Sequence, residues 1–226
     1  MAAMSAIRLF SWRGGGGMRN GPGDGQASLA AGTAPDQPGR DCPLCPRLAA
    51  FRADNRAKFP DFHNAPVASF GPLDALVLVV GLAPGLRGAN RTARPFTGDY
   101  AGDLLYATLT AFGLAEGRYQ ARPDDGLVLT GCRITNAVRC VPPENKPKGE
   151  EIRSCRPFLE AELAALPGLV AVLALGSVAH GALHELPDGL ILADSYHCSR
   201  YNTNTGRLTE AMFRAVFERL CDVLAA

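Results

Sequence analysis

The sequence ALVLVVGLAPG, residues 75–85, joins a run of six apolar residues to a turn of small residues. A short apolar run without polar alternation is typical of a strand that is buried on both faces of a parallel sheet. We therefore predict a buried strand at 75–80. The turn at 81–85 is either a plain strand-to-helix connection or a place where the backbone approaches a ligand closely.

Strand and helix patterns alternate along most of the remaining chain. Further strands are predicted at 127–135, 169–175 and 189–194, and helices at 45–58, 102–112, 148–166, 177–186 and 208–224. Strands that are separated by helices of this length form βαβ units and parallel sheets. The predicted fold class is α/β: a three-layer α/β/α sandwich around a mostly parallel four-stranded sheet.

Length and composition indicate one ordinary domain with a tail. The chain has 226 residues and a formal net charge of +1, so any contact with nucleic acid must use a local group of cations. Nine of the 25 glycines precede Arg40, in a segment with too little apolar surface to offset the entropy of folding. We predict a disordered Gly/Ala-rich tail at 1–39 and a single domain at 40–226.

No stretch approaches the ~20 apolar residues that a membrane span requires. Arg8 and Arg13 interrupt the few apolar residues of the N-terminus, so no secretory signal is predicted. We expect a cytoplasmic protein without membrane contact. In that compartment the seven cysteines are expected to be reduced thiols or metal thiolates before disulfides.

Four of the cysteines form two pairs. Cys42 and Cys45 have C-x2-C spacing, while Cys140 and Cys155 flank the loop VPPENKPKGEE. Four thiolates in two separated pairs can ligate a zinc ion or an iron–sulfur cluster, and the spacing does not separate these two. The remaining cysteines have no partner at such spacing and are predicted to be ordinary thiols: Cys132, Cys198 and Cys221.

Polar residues follow the predicted strands. In sheets of this class, ligands bind beyond the carboxyl ends of the strands. The segments at those ends are GLAPG (81–85), TNAVRC (135–140), GSVAH (176–180) and SYHCSRYNTNTGRLT (195–209). Three of the four are dense in Gly, Asn, His, Ser or Arg, which a plain turn would not require.

These segments, together with NRTARPFTGD (90–99) and VPPENKP (141–147), resemble the successive motifs of the family 5 uracil-DNA glycosylases. The resemblance extends from about Cys42 to the C-terminus. It implies that the predicted α/β/α sandwich has the fold of the uracil-DNA glycosylases. It also implies a 4Fe-4S cluster on Cys42, Cys45, Cys140 and Cys155. The implied activity is the removal of uracil, and of related deaminated bases, from DNA to leave an abasic site.

The resemblance further implies catalytic roles for three residues. Asn136 would orient the attacking water, because its amide can donate and accept hydrogen bonds at once. Asn90 would assist it, and Asp99 is the nearest alternative carboxylate, although it can also cap the helix that follows. His197 would donate a hydrogen bond to a uracil carbonyl oxygen as the glycosidic bond breaks.

The implied substrate contacts fall into three groups. Phe96 would stack on the flipped base, with a place in the core as the alternative. Backbone phosphates would be held by Ser199, Arg200 and Asn202. The turn itself would border the base: Gly81, Leu82, Ala83, Pro84 and Gly85. Its apolar side chains offer few polar contacts that could discriminate between bases. This suggests substrates beyond uracil, such as hypoxanthine, xanthine and hydroxymethyluracil.

We therefore predict a monomeric DNA-repair glycosylase. No lysine nucleophile follows the second strand, so the enzyme is expected to be monofunctional and to leave the DNA strand intact. Two alternatives come from other classes of protein. One is a non-catalytic iron–sulfur module that binds DNA, and the other is a cluster-bearing electron-transfer protein.

Overall fold

The computed structural model describes residues 34–183 and 186–225, so most of the predicted tail at 1–39 lies outside the described residues. The helices are α1 (Pro46–Lys58), α2 (Ala89–Thr92), α3 (Tyr100–Ala111), α4 (Gly149–Ala164), α5 (Ser177–Ala182), α6 (Arg200–Asn204) and α7 (Glu210–Leu224). The strands are β1 (Val77–Gly81), β2 (Ala115–Glu116), β3 (Val128–Leu129), β4 (Cys132–Asn136), β5 (Ala171–Leu175) and β6 (Ile191–Ser195). Among the described helices, none is long and apolar enough to cross a lipid bilayer.

Four strands form one parallel sheet in the order β4-β1-β5-β6, which confirms the predicted fold class. The strand predicted at 127–135 is instead two strands. Its first part, β3, pairs antiparallel with β2, and its second part, β4, joins the main sheet. Gly131 separates them with a φ of 72°, a left-handed conformation that interrupts an extended chain and that glycine adopts without steric cost.

Alternate side chains of β1 point into two apolar layers, one on each face of the sheet. Val77 and Val79 pack with residues of α3 and α7, whereas Leu78 and Val80 pack with residues of α4 and α5. All five residues of β1 are buried, as expected for the central region of a parallel sheet. The helices therefore cover both faces and produce three layers.

The strand register brings the polar segments of the chain to one edge of the sheet. Gly81 at the end of β1 lies opposite Asn136 at the end of β4. Leu175 at the end of β5 lies opposite Ser195 at the end of β6. Since all four strands run in the same direction, the segments that follow them emerge at the same edge.

A buried carboxylate on α4 connects three parts of the fold. Glu162 accepts hydrogen bonds from Arg133 of β4, from Arg139 at 3.1 Å and from Ser69 at 2.6 Å. Gln37 also donates to it, at 3.0 Å. Burial alone would raise the pKa of Glu162, but the hydrogen bonds and the two arginines lower it overall. The carboxylate is therefore ionised and satisfied.

We expect Glu162→Gln to destabilise the fold by about 3–5 kcal/mol, because it leaves Arg133 and Arg139 buried without a counter-charge. The matched control is Glu160→Gln on the same helix, where a surface ion pair with Arg156 is worth at most about 1 kcal/mol. Chemical unfolding of both variants measures the difference. Equal effects would show that the Glu162 network is not a major source of stability.

Candidate active site

A cavity of about 340 Å³ opens at the carboxyl ends of the strands. Asn136 and His197, which lie far apart in the sequence, both line it. Seven of the residues predicted to contact substrate line it as well: Leu82, Ala83, Pro84, Gly85, Phe96, Ser199 and Arg200. The structure thus brings most of the predicted site together at one place.

Asn136 is the last residue of β4, and its place in the sheet holds it at the cavity wall. Only 4% of the residue is exposed, yet its carboxamide makes no hydrogen bond to another residue in the described part of the chain. A Cβ atom at Gly81 would lie 2.5 Å from Asn136 Oδ1 and 2.5 Å from the Phe96 ring. The Asn136 amide can therefore occupy this position only because residue 81 has no side chain.

His197 follows β6, and its imidazole stacks on Phe96 with 5.7 Å between the ring centroids. Burial lowers the pKa of His197 below its usual 6.5, so the ring is neutral at pH 7 and carries one N–H donor. Asn202 does not line the cavity, but its amide donates to the His197 carbonyl oxygen at 2.8 Å. Asn202 therefore fixes the backbone of His197.

Asn90 and Asp99 occupy different environments. Asn90 is 1% exposed, donates to Asn64 Oδ1 at 2.9 Å and is not among the residues that line the cavity. Asp99 does line the cavity, at the N-cap position of α3. Its Oδ1 atom is buried and has no hydrogen-bond partner among the described residues. Burial raises the pKa of Asp99 above its usual value. Among the described residues that line the cavity, Asp99 is the only acidic one.

Asn145 also lines the cavity, although its sequence context predicts no role for it. It ends a 3-10 turn at Pro143–Asn145, within the loop between Cys140 and Cys155. Both Glu144 and Asn145 have a φ of 55°. Asparagine tolerates this left-handed conformation better than most residues, but no sequence signal places that turn beside the cavity.

The four paired cysteines surround a second, smaller space. Cys42, Cys45, Cys140 and Cys155 all line it. The rest of the wall combines apolar side chains with three polar residues: Arg52, Arg139 and Ser154. In the described ranges, no three His, Cys, Asp or Glu side chains converge closely enough to hold a single metal ion. The donor set at this space is four cysteine thiols, and such thiols can ligate either zinc or an iron–sulfur cluster.

Nitrogen donors point at two of these sulfur atoms. Arg52 Nη1 lies 3.6 Å from Cys140 Sγ, and the backbone N–H of Arg139 lies 3.3 Å from Cys155 Sγ. Burial raises the pKa of Cys140 to about 12, so a thiolate at this position depends on positive charge nearby. Hydrogen bonds to sulfur are a regular part of iron–sulfur sites.

A family model for the uracil DNA glycosylase superfamily matches residues 68–221, which include the whole cavity region. The chain belongs to this superfamily. A type-5 uracil-DNA glycosylase of Thermus thermophilus is 43% identical over 198 residues, which cover 77% of this chain and 90% of that protein. The type-5 enzyme of Mycobacterium leprae is 39% identical over 202 residues, 78% of this chain and 88% of the relative.

A third relative, the type-5 uracil-DNA glycosylase of Pyrobaculum aerophilum, is 37% identical over 198 residues, 79% of this chain and 87% of that protein. The type-4 uracil-DNA glycosylase of the same organism is 34% identical over only 126 residues. The matches to type-5 members extend over much more of the chain. The resemblance to family 5 that the motifs indicate is therefore confirmed.

We expect Gly81→Ala to slow base release by about a hundredfold or more, because a new Cβ would displace the Asn136 amide and the Phe96 ring together. The control is Gly181→Ala in α5, where a Cβ would meet no atom within 4 Å. Single-turnover kinetics on a uracil-containing oligonucleotide measure both. A Gly81 variant as fast as the control would contradict the close packing at the cavity wall.

Proposed function

We propose that this protein hydrolyses the N-glycosidic bond of uracil in DNA and leaves an abasic site. One observation carries the proposal: the Asn136 carboxamide and the His197 imidazole open onto the same cavity and make no hydrogen bonds to other described residues. The superfamily membership and the type-5 names of the relatives support uracil in DNA as the substrate.

Release of the base requires stabilisation of a departing uracil anion. We assign this task to His197, whose neutral imidazole can donate one hydrogen bond to a uracil carbonyl oxygen as negative charge develops there. A single donor of this kind contributes about 3 kcal/mol to a transition state in a site from which water is excluded. Phe96, which lies against His197, would support the face of the same base.

The opposite charge develops on the sugar, which a water molecule then attacks. Asn136 can orient that water with one donor and one acceptor. We assign the assisting role to Asp99 in place of Asn90, because Asp99 is a carboxylate that lines the cavity and Asn90 does not line it. Its carboxylate would stabilise the cationic sugar and receive the proton of the water. Asn90 would support α2 through Asn64.

The DNA strand would be held at the mouth of the cavity. Ser199 caps α6 and Arg200 begins it, and both line the cavity, which suits contacts to the phosphates that flank the flipped base. The apolar side chains of Leu82 and Ala83 offer the base no polar contact. We therefore propose that other deaminated bases are accepted as well, since a site with few polar filters rejects few substrates.

The donor set of the smaller space suits a 4Fe-4S cluster on Cys42, Cys45, Cys140 and Cys155. Such a group would act as a structural brace and supply no electron to the hydrolysis. Cys140 and Cys155 enclose the loop that carries Asn145, so ligation would hold both ends of that loop. We propose that the cysteines order this side of the cavity.

The proposed enzyme is monofunctional and acts as a monomer in the cytoplasm. No lysine is among the described residues that line the cavity, so the wall offers no amine that could form a covalent intermediate with the sugar. Hydrolysis by water needs no such nucleophile. All seven cysteines are free in the structure, which suits the cytoplasm.

We expect the purified protein to convert uracil in an oligonucleotide into a site that hot alkali cleaves, while a thymine-containing control of the same sequence stays intact. Gel electrophoresis after alkali treatment measures the product. Binding of the oligonucleotide without alkali-sensitive sites would refute the enzyme and favour a non-catalytic DNA-binding module.

His197→Ala should slow single-turnover base release by about 10²- to 10³-fold, because the departing anion loses its donor. The control is His180→Ala, whose imidazole pairs with Asp194 outside the cavity. We further expect the wild-type rate to hold steady as pH rises from about 7 to about 8, because the lowered pKa keeps His197 mainly neutral in that range. A decline across that range would indicate that an imidazolium ion, not the neutral ring, stabilises the base.

Freshly purified protein should be brown and contain iron and acid-labile sulfide. We expect Cys140→Ser to lower Tm by roughly 5 °C or more relative to Cys221→Ser, because loss of one ligand removes metal-dependent stability. Cys221 lies on α7, away from the four paired cysteines, and is the matched control. Colourless protein with stoichiometric zinc would contradict the cluster assignment.

A further inference from the structure

Phe96 forms part of the cavity wall in an unusual backbone conformation. Its φ is 52°, in the left-handed region that bulky residues rarely adopt. Such a conformation is strained and persists only where the surroundings impose it. In this conformation the ring lines the cavity and contacts His197, and with only 6% of the residue exposed it also packs in the apolar core. The groups that impose it therefore control the shape of the site.

Two tyrosine hydroxyls hold the peptide groups on either side of Phe96. Tyr119 donates a hydrogen bond to the Phe96 carbonyl oxygen at 3.1 Å and accepts one from the Gly98 backbone N–H at 3.4 Å. Tyr106 donates to the Pro95 carbonyl oxygen at 2.7 Å. The backbone is therefore fastened immediately before and after the strained residue.

Contacts with each other and with Arg94 hold the two tyrosine rings in place. Their rings stack with 4.6 Å between centroids, and the Arg94 guanidinium lies 5.4 Å from the Tyr106 ring and 5.8 Å from the Tyr119 ring. Arg94 makes two hydrogen bonds of 2.8 Å to Asp125. Asp125 in turn accepts two backbone N–H groups of its own loop. This loop lies outside the motifs that indicated the family.

The fit around the strained peptide leaves no spare volume. A Cβ atom at Gly102, in the first turn of α3, would lie 1.9 Å from the Phe96 carbonyl oxygen and 2.3 Å from the Tyr119 hydroxyl. Burial raises the pKa of Tyr119 to about 12, so the hydroxyl stays protonated and able to donate near neutral pH. The hydrogen bond to Phe96 is therefore present under all conditions in which the enzyme would work.

We propose that Tyr119 is a positioning residue for base recognition: its hydroxyl holds Phe96 in the left-handed conformation, and this presents the phenyl ring as a flat wall for the flipped base. The inference rests on the proposed uracil excision. Tyr119 is not among the described residues that line the cavity, and its hydroxyl makes hydrogen bonds only with the backbone of Phe96 and Gly98. Its loss would loosen the ring without removing any group that contacts substrate.

A double-mutant cycle tests this role. Tyr119→Phe removes only the hydroxyl, and we expect it to slow single-turnover release of uracil by about five- to tenfold in the wild-type background. In a Phe96→Ala background the same change should alter the rate by less than about twofold, because the ring that Tyr119 positions is gone. The control is Tyr196→Phe, a tyrosine that is 55% exposed and is expected to keep the wild-type rate.

The affinity for a thymine-containing oligonucleotide is a second readout, and it should stay the same in Tyr119→Phe because the phosphate contacts are intact. Asp125→Asn is a second variant, which weakens the contact with Arg94 and so the support of the two tyrosine rings. Its effect on the rate should also depend on the presence of Phe96. Equal losses of rate in both backgrounds, or no loss in the wild-type background, would overturn the inference. Absence of uracil release by the wild-type protein would instead refute the proposed function.

Discussion

The parallel pairing of β1 with β4 is the constraint on which the site depends. It sets Gly81 beside Asn136 at the edge where the cavity opens. The amide occupies space that any side chain at position 81 would fill, and the Phe96 ring shares that space. A shift of this register by one residue would turn Asn136 to the opposite face of the sheet. The chemistry of the cavity therefore follows from backbone hydrogen bonds within the sheet.

Buried polar contacts maintain this geometry at some distance from the cavity. Helix α4 carries both Glu162, which binds the arginines of the β4 region, and Cys155, one of the four paired cysteines. Arg139 contacts both, through its guanidinium and its backbone N–H. The ionic network and the thiols thus support the same segment of chain. Removal of the ionic network or of the thiols would therefore disturb the loop that carries Asn145.

The apolar runs in the sequence were sufficient to predict the sheet. Because parallel strands share one carboxyl edge, the segments that contain Asn136 and His197 were also expected at that edge, whereas the choice of these two residues came from the resemblance to the family. The break at Gly131 was missed, since one glycine in an apolar run does not reveal a left-handed turn. The residues 1–33 and 184–185 lie outside the described structure, so the tail stays a prediction.

Other features of the site depend on packing that spacing does not encode. Asp99 was considered a helix cap or an alternative carboxylate, and its place in the cavity lining distinguishes it from Asn90, which donates to Asn64 and does not line the cavity. Asn145 reaches the cavity through two consecutive left-handed residues. Tyr119 lies in a segment without any family motif, and its contact with Phe96 becomes visible only after folding.

The most direct measurement is a crystal structure with DNA that contains a 2′-fluorinated deoxyuridine, whose electron-poor sugar resists loss of the base. We expect the uracil to be rotated out of the helix and into the cavity, with its face on Phe96, a carbonyl oxygen at His197 and Asn136 within the same pocket. A uracil that remains stacked in the DNA, or that binds elsewhere on the protein, would contradict the account.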